Sequence, residues 1–270
     1  MLLSIIIPCY NEDQTILPLL HDLYSVSLGI DFEVIIVDDG SEHPTEGIVS
    51  TFLRSHPNCR LYRHRRNRGK GSAIRTGIKN ANGDYILIQD ADMEYSPSDI
   101  PSLLGPVLKY GVPIVYGSRF MNGNKNYNRL HLFANRILTI FTNLLLKTRL
   151  TDIETGYKLL SKDVLSRFRI CGESFELEPE ITLKSVLAGY RIVEVPIRYN
   201  HRVKGKAKIN PTDGIEAMLY LLINRFFKES EVMQGLYRAF KFGMKDPLAR
   251  LIRKALYRFI YKGSMKERRC

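Results

Sequence analysis

Tyr85-Ile86-Leu87-Ile88-Gln89-Asp90-Ala91-Asp92 is the stretch that decides how this chain folds. A short, unbroken apolar run predicts a buried strand of a parallel sheet, covered on both faces. Ligands of such sheets gather at the carboxyl ends of the strands. Asp90 and Asp92 stand at that end. There they offer hard oxygen ligands to Mg²⁺ or Mn²⁺, ions that keep open positions for phosphate oxygens. A nucleoside diphosphate is held in this way. An Asp-x-Asp triplet also fits a turn or a helix start, so its meaning depends on its neighbours.

Two neighbouring stretches point to the same crevice. Val34-Ile35-Ile36-Val37 runs into Asp38-Asp39-Gly40-Ser41, which places Asp39 for a ribose or a base. Ser4-Ile5-Ile6-Ile7 is broken by Pro8 and delivers Tyr10 and Glu12 to the same edge. Helix capping explains one acidic strand end more readily than three. Between these strands the pattern alternates, as a doubly wound sheet requires. Helices are expected near 14–25, 45–55, 71–81 and 97–109, and strands near 4–7, 32–37, 85–89 and 113–116. Ser96, Pro97 and Asp99 provide an N-cap, an N1 proline and a capping-box acid for the fourth helix. The Arg60–Gly71 stretch reads as a basic loop, solvated or able to approach a phosphate through Gly69-Lys70-Gly71. It lacks the upstream glycine of a Walker A loop.

With 270 residues and 44% hydrophobic content, the chain accommodates one large α/β domain and a short appendage. Cys9, Cys59, Cys171 and Cys270 show no spacing that suggests zinc or a disulfide framework, so a reducing compartment is expected. The start lacks a basic region before its apolar run, and no run of 18 apolar residues follows. Neither a signal peptide nor a membrane span is expected.

Pro8-Cys9-Tyr10-Asn11-Glu12, Asp38-Asp39-Gly40-Ser41, Asn67-Arg68-Gly69-Lys70-Gly71, Asp90-Ala91-Asp92 and Gly117-Ser118-Arg119 resemble, in order and spacing, the family-2 inverting glycosyltransferases. Among these the chain is most similar to dolichol-phosphate mannose synthases and related polyprenyl-phosphate glycosyltransferases. The resemblance covers about residues 2–215. It implies a Rossmann-like GT-A fold with a mixed, mostly parallel sheet, a UDP- or GDP-sugar donor and a divalent metal. By the same resemblance, Pro8, Tyr10, Glu12, Asp39, Lys70, Asp90 and Ala91 contact the nucleotide sugar, and Asp90, Asp92 and Glu94 hold the metal. The mannose enzymes commonly carry glutamine where this chain has Glu94, which leaves the sugar open. Arg119 and Arg136 match arginines that contact an acceptor phosphate, and Arg202 to Lys208 is similar to the lipid-phosphate Arg-x-x-Gly-x-Ser-Lys loop, with Ala207 in place of serine. Arg202 and Lys208 are therefore acceptor-phosphate candidates.

Glu178 and Glu180 follow in a segment matching the acceptor side. Either is a candidate base if the acceptor is a hydroxyl, whereas Asp92 is a catalytic candidate through the metal it holds; both glutamates also suit an acid-rich helix start. A phosphate acceptor needs no base, because its second pKa is about 6. Arg136 lies in an apolar helix expected from His131 to Lys147, where a buried charge requires an anion or an intrachain partner unless it snorkels to water.

Charge is concentrated at the end of the chain. From Arg225 to Cys270, 13 Lys and Arg stand against 4 Asp and Glu, which accounts for most of the formal +12. Within this tail Leu248, Leu251, Ile252, Ala255, Leu256, Phe259 and Ile260 form a helical apolar stripe with basic residues beside it. Such a helix suits an anionic membrane surface, or alternatively packs on the catalytic domain. The expected division is a catalytic domain at 1–215 and a basic amphipathic appendage at 216–270. The expected location is the cytoplasmic face of a membrane, peripherally bound, with an integral membrane partner as one means of attachment. A non-catalytic basic module that binds nucleic acid or anionic lipid through this tail is a remote alternative; the apolar stripe suits a bilayer better than a phosphate backbone, and no nucleic-acid motif accompanies it.

Overall fold

The run Tyr85–Ile88 becomes the middle strand of a seven-stranded sheet. In the computed structural model, which describes residues 1–121, 129–173, 176–200, 211–227 and Tyr237, the order begins with β1 (Leu2–Cys9), α1 (Ile16–Ser25), β2 (Asp31–Asp38), α2 (Thr45–Ser55), β3 (Cys59–Arg63), α3 (Lys70–Asn80) and β4 (Tyr85–Ile88). A 3₁₀ turn (Pro97–Asp99), α4 (Ile100–Tyr110), β5 (Ile114–Ser118), α5 (Arg129–Leu146), β6 (Lys158–Ser161), α6 (Lys162–Ser166), α7 (Leu177–Leu187), β7 (Val193–Pro196) and α8 (Pro211–Phe226) complete it. The strands lie in the order β3-β2-β1-β4-β6-β5-β7. β6 alone runs antiparallel to its neighbours β4 and β5, so the sheet is mixed and mostly parallel, as expected. The expected tail helix, together with Arg202 and Lys208, lies outside the described residues. Position 215/216, where the sequence divides the chain, falls within α8.

The apolar residues of β1, β2 and β4 are buried, as continuous strand runs require. Pro8 does not break β1. It pairs in register with Val37, two residues past Ile6, the last β1 residue paired with β4. Gln89 N donates to Ile6 O. Backbone groups two residues apart face the same side, so the missing Pro8 N–H faces the side on which β4 has ended.

Three details differ from the sequence reading. Cys59–Arg63 is a strand, and Arg60 Nη2 lies 2.6 Å from Glu33 Oε2, which neutralises a charge that had suggested a loop. Ser96 makes no side-chain cap. The Asp99 carboxylate instead accepts from the backbone and Nε of Arg198 at 2.8 and 3.0 Å, tying the start of α4 to the segment after β7.

Glu33 is a buried joint between β1, β2 and the end of α3. It accepts from Ser4 Oγ at 2.6 Å, Asn82 N at 2.6 Å and Asn82 Nδ2 at 3.1 Å. Burial alone would raise its pKa, but the bonds from Ser4 and Asn82 and the charge of Arg60 outweigh burial and hold the carboxyl below its usual value. A depressed folded pKa contributes stability above the unfolded value of about 4.3, and that stability is lost as pH falls through the folded pKa. Glu33→Gln should therefore cost about 2 kcal/mol at neutral pH. Thermal unfolding of both proteins as a function of pH should show this gap narrowing below about pH 4.

Candidate active site

The loops after β1, β2 and β4 meet at one edge of the sheet. Asp39 N donates to Cys9 O at 2.8 Å, and Asn11 N donates to Ser41 Oγ at 3.0 Å, so the first two loops are laced together. Asn11 has φ 55, the left-handed region that asparagine tolerates. Tyr10 and Glu12 reach this edge half-buried, with Glu12 Oε2 accepting from Thr15 Oγ1 at 3.0 Å. Pro8 and Ala91 border the same edge from the end of β1 and the start of the loop after β4.

Asp39 is almost wholly enclosed. Oδ1 is 2.6 Å from His64 Nδ1, and Oδ2 accepts from Arg68 N and Gly69 N at 3.0 and 2.8 Å. Its carboxylate thus fixes the 64–69 loop, which crosses the expected nucleoside site. His64 continues the chain to Thr76 Oγ1 at 2.8 Å. The glycines at the start of α3 allow close packing against the 172–173 segment. Gly71 N donates to Glu173 O at 3.3 Å, and a Cβ on Gly71 would collide with the Gly172 carbonyl.

Lys70, the first residue of α3, links two acids. Its Nζ is 2.8 Å from Asp90 Oδ1 and 3.0 Å from Glu178 Oε1. Burial would lower the lysine pKa, but the two carboxylates outweigh it and hold the ammonium well above its usual value. Beyond Asp90 the chain turns sharply: Met93 has φ 64, and Asp92 Oδ1 accepts from Glu94 N at 3.1 Å. The Tyr199 hydroxyl bonds to Glu94. Among the described residues no three acidic, histidine or cysteine side chains converge on one metal point, so the expected set of Asp90, Asp92 and Glu94 is not gathered together. The donors present still fit a hard cation: an ammonium already sits on Asp90, and Mg²⁺ characteristically takes one or two carboxylates and fills its remaining positions with water and substrate phosphate.

Glu178 and Glu180 occupy different environments although they are two residues apart. Glu180 is fully buried. It accepts from Cys171 N and Gly172 N at 2.9 and 2.6 Å and pairs with Lys184 Nζ at 2.5 Å, which anchors the segment before α7. Of the two, Glu178 is the one that meets Lys70, which also pairs with Asp90.

The opposite side of the crevice is built by the 151–158 loop, to which sequence reasoning assigned no individual roles. Asp152, fully buried, takes Arg119 in a two-pronged pair, Nε–Oδ2 at 2.6 Å and Nη2–Oδ1 at 2.7 Å. Glu194 of β7 holds this loop by accepting from Thr151 N at 2.7 Å and Asp152 N at 3.0 Å. Asn135 of α5 reaches Asp152 Oδ1 at 3.3 Å. Lys158, also fully buried, donates to the carbonyls of Ile153 and Thr155. Gln89 and Tyr157 brace the other end: Tyr157 Oη donates to Gln89 Oε1 at 2.9 Å, and the Tyr95 hydroxyl accepts from Gly156 N at 3.0 Å. The buried polar Gln89 between an apolar strand and two acids was the one local signal of this bracing.

Arg136 is exposed, so it is not the enclosed charge that its apolar surroundings suggested. α5 turns an apolar stripe outward instead, with Phe133 63%, Ile137 42%, Ile140 54% and Leu144 78% exposed. At helical spacing Arg136 flanks this stripe.

Residues 4–169 match the family model described as glycosyl transferase family 2, and the chain belongs to that family. It is similar to the dolichol-phosphate mannosyltransferase of Pyrococcus furiosus, 28% identical over 215 residues that span 77% of this chain and 59% of that one. It is also similar to the dolichyl-phosphate beta-glucosyltransferase of Dictyostelium discoideum, 30% identical over 181 residues, 61% of this chain and 55% of that one. The chain thus spans less than two thirds of the length of either relative. Its fold matches glucosyl-3-phosphoglycerate synthase from Mycobacterium tuberculosis, in complex with Mn²⁺, UDP and glucosyl-3-phosphoglycerate, with a TM-score of 0.64 and 18% identity over 83% of this chain and 79% of that one. The fold is GT-A, as expected.

Removing one partner of a buried pair leaves the other charge uncompensated. Asp152→Ala should destabilise the protein by about 3 kcal/mol, measured by chemical denaturation, and Asp152→Asn by less, since it retains the shape and one acceptor.

Proposed function

We propose that this chain transfers a hexose from a UDP- or GDP-sugar to a polyprenyl phosphate at the cytoplasmic surface of a membrane, with inversion at the anomeric carbon. The observation that carries the reading is the placement of Arg119. It is joined through Asp152 and Asn135 to α5, and the outer face of α5 is an exposed apolar stripe flanked by Arg136. An exposed apolar patch of this kind marks a contact with membrane or protein. An acceptor with a phosphate head and a hydrocarbon tail suits both features.

In this reading Asp90 and Asp92, with Glu94 beside them, would hold Mg²⁺ or Mn²⁺. The bound ion supplies charge neutralisation on the departing diphosphate. Tyr10, Glu12 and the Asp39-fixed loop border the nucleoside. A phosphate oxygen of the acceptor forms the new bond to the anomeric carbon while the bond to the diphosphate breaks, and the electron pair leaves with the nucleoside diphosphate. The acceptor phosphate is already largely a dianion at neutral pH, so it needs positioning and not a base. Arg119, Arg136, Arg202 and Lys208 are the proposed positioning cations. No described helix is long and apolar enough to cross a membrane. The proposal therefore places the basic tail at the anionic surface, with an integral membrane partner as a further means of attachment.

Incubation with labelled UDP- and GDP-sugars, Mn²⁺ or Mg²⁺ and dodecaprenyl or dolichyl phosphate should give a label that extracts into organic solvent and is abolished by EDTA. Asp92→Asn should lower this transfer by about 100-fold or more with the melting temperature little changed. Donor consumption without lipid label would favour a hydroxyl acceptor and make Glu178 the candidate base. Leu144→Asp, at an exposed position, should weaken binding to anionic vesicles by about 10-fold. Unchanged co-sedimentation would remove α5 from the membrane contact.

A further inference from the structure

The 152–158 loop crosses the crevice from one reacting end to the other. At its start Asp152 holds Arg119. Near its end Gly156 lies so close to the Asp90 carboxylate that a Cβ there would overlap Oδ2. Glu154 stands between the two. Its Oε1 is buried and has no hydrogen-bond partner among the described residues. A buried oxygen in that state is costly unless a ligand satisfies it.

The proposed reaction requires something at this place. The leaving diphosphate is assigned to the Asp90–Asp92 end and the acceptor phosphate to the Arg119 end, so the transferred sugar must lie between them. The geometry points to Glu154 as the residue that bonds a hydroxyl of the transferred hexose and thereby selects the donor sugar. This rests on the glycosyl-transfer reading. Burial, followed by the charge of Glu178, pushes the Glu154 carboxyl above the ordinary carboxylate range. A carboxyl that retains its proton both donates to and accepts from a hydroxyl. A site built to bond a hydroxyl discriminates strongly against an analogue that lacks it, because its own polar group is then left unpaired.

The test is calorimetric titration of the full chain with Mn²⁺, using UDP, UDP-glucose, GDP and GDP-mannose as probes. In the wild type, one sugar nucleotide should bind more tightly than its bare nucleoside diphosphate. Glu154→Ala should lose about 10-fold or more of affinity for that sugar nucleotide while binding the nucleoside diphosphate as the wild type does. Glu154→Gln, which keeps an acceptor and a donor of the same shape, should recover most of the loss. Deoxy analogues of the preferred donor identify the hydroxyl: the analogue lacking it should bind wild type and Glu154→Ala equally. Equal loss of both ligands in Glu154→Ala, or no loss of either, overturns the assignment. If Glu154→Ala fails to fold, a wild type and Glu154→Gln that bind every deoxy analogue as tightly as the parent donor also overturn it. A wild type that binds neither nucleoside diphosphate refutes the glycosyl-transfer reading itself.

Discussion

One ammonium group organises the crevice. Lys70 arrives on the first turn of α3, Asp90 follows β4 and Glu178 opens α7, and the 2.8 and 3.0 Å contacts bind these elements at one point. Neither carboxylate would rest stably so near the other without it, because like charges this close repel strongly in a partly dry site. The glycines on both sides of Lys70 make the approach possible. Gly69, at φ 89, turns the chain into the helix, and Gly71 lets the helix start touch the 172–173 segment.

From that point the charges alternate across the site. Asp90 and Glu178 face Lys70, Lys158 lies beneath the 153–155 turn, and Asp152 faces Arg119. Glu194 sits one layer further back and accepts from the backbone and hydroxyl of Thr151 and the backbone of Asp152. Its burial is therefore tied to the position of Arg119, although the two side chains belong to different strands' ends. Such a network is rigid where its members are satisfied, and beside it Glu154 Oε1 is a buried oxygen without a hydrogen-bond partner among the described residues.

The parallel half of the fold was legible because each strand is a continuous apolar run that ends in acids, and the runs from Ile5, Val34 and Ile86 all form strands. β3 was not, because its arginines look like loop residues until Glu33 is seen behind Arg60. The acidic strand ends were legible as a group, whereas individual roles were not. Asp39 and Glu180 read as ligand-facing acids but are enclosed by backbone amides, a distinction that depends on loop conformation and leaves no mark in residue type. Asp152 and Lys158 share one loop, but Arg119 and Glu194, which meet that loop, come from segments far apart in the chain, and the sheet order β6-β5-β7 brings them together.

α5 shows the same limit and explains it. Its inner face carries polar groups, with Asn135 reaching Asp152, Thr139 bonding Asn135 and Thr142 bonding the Leu138 carbonyl, while Leu138 and Leu146 pack in a core with α7 and α8. Its outer face holds Phe133, Ile137, Ile140 and Leu144. A helix with apolar residues on both faces gives no sequence signal of which one turns inward, and an arginine among them then looks buried. Packing settles the orientation through the polar residues, because Asn135 finds a carboxylate inside the protein and the aliphatic stripe has no equivalent partner there. The orientation that fixes Arg119 is therefore the same one that leaves four large apolar side chains on the surface. Anchoring a cation inside the crevice and presenting an apolar face outside it are two consequences of one helix packing.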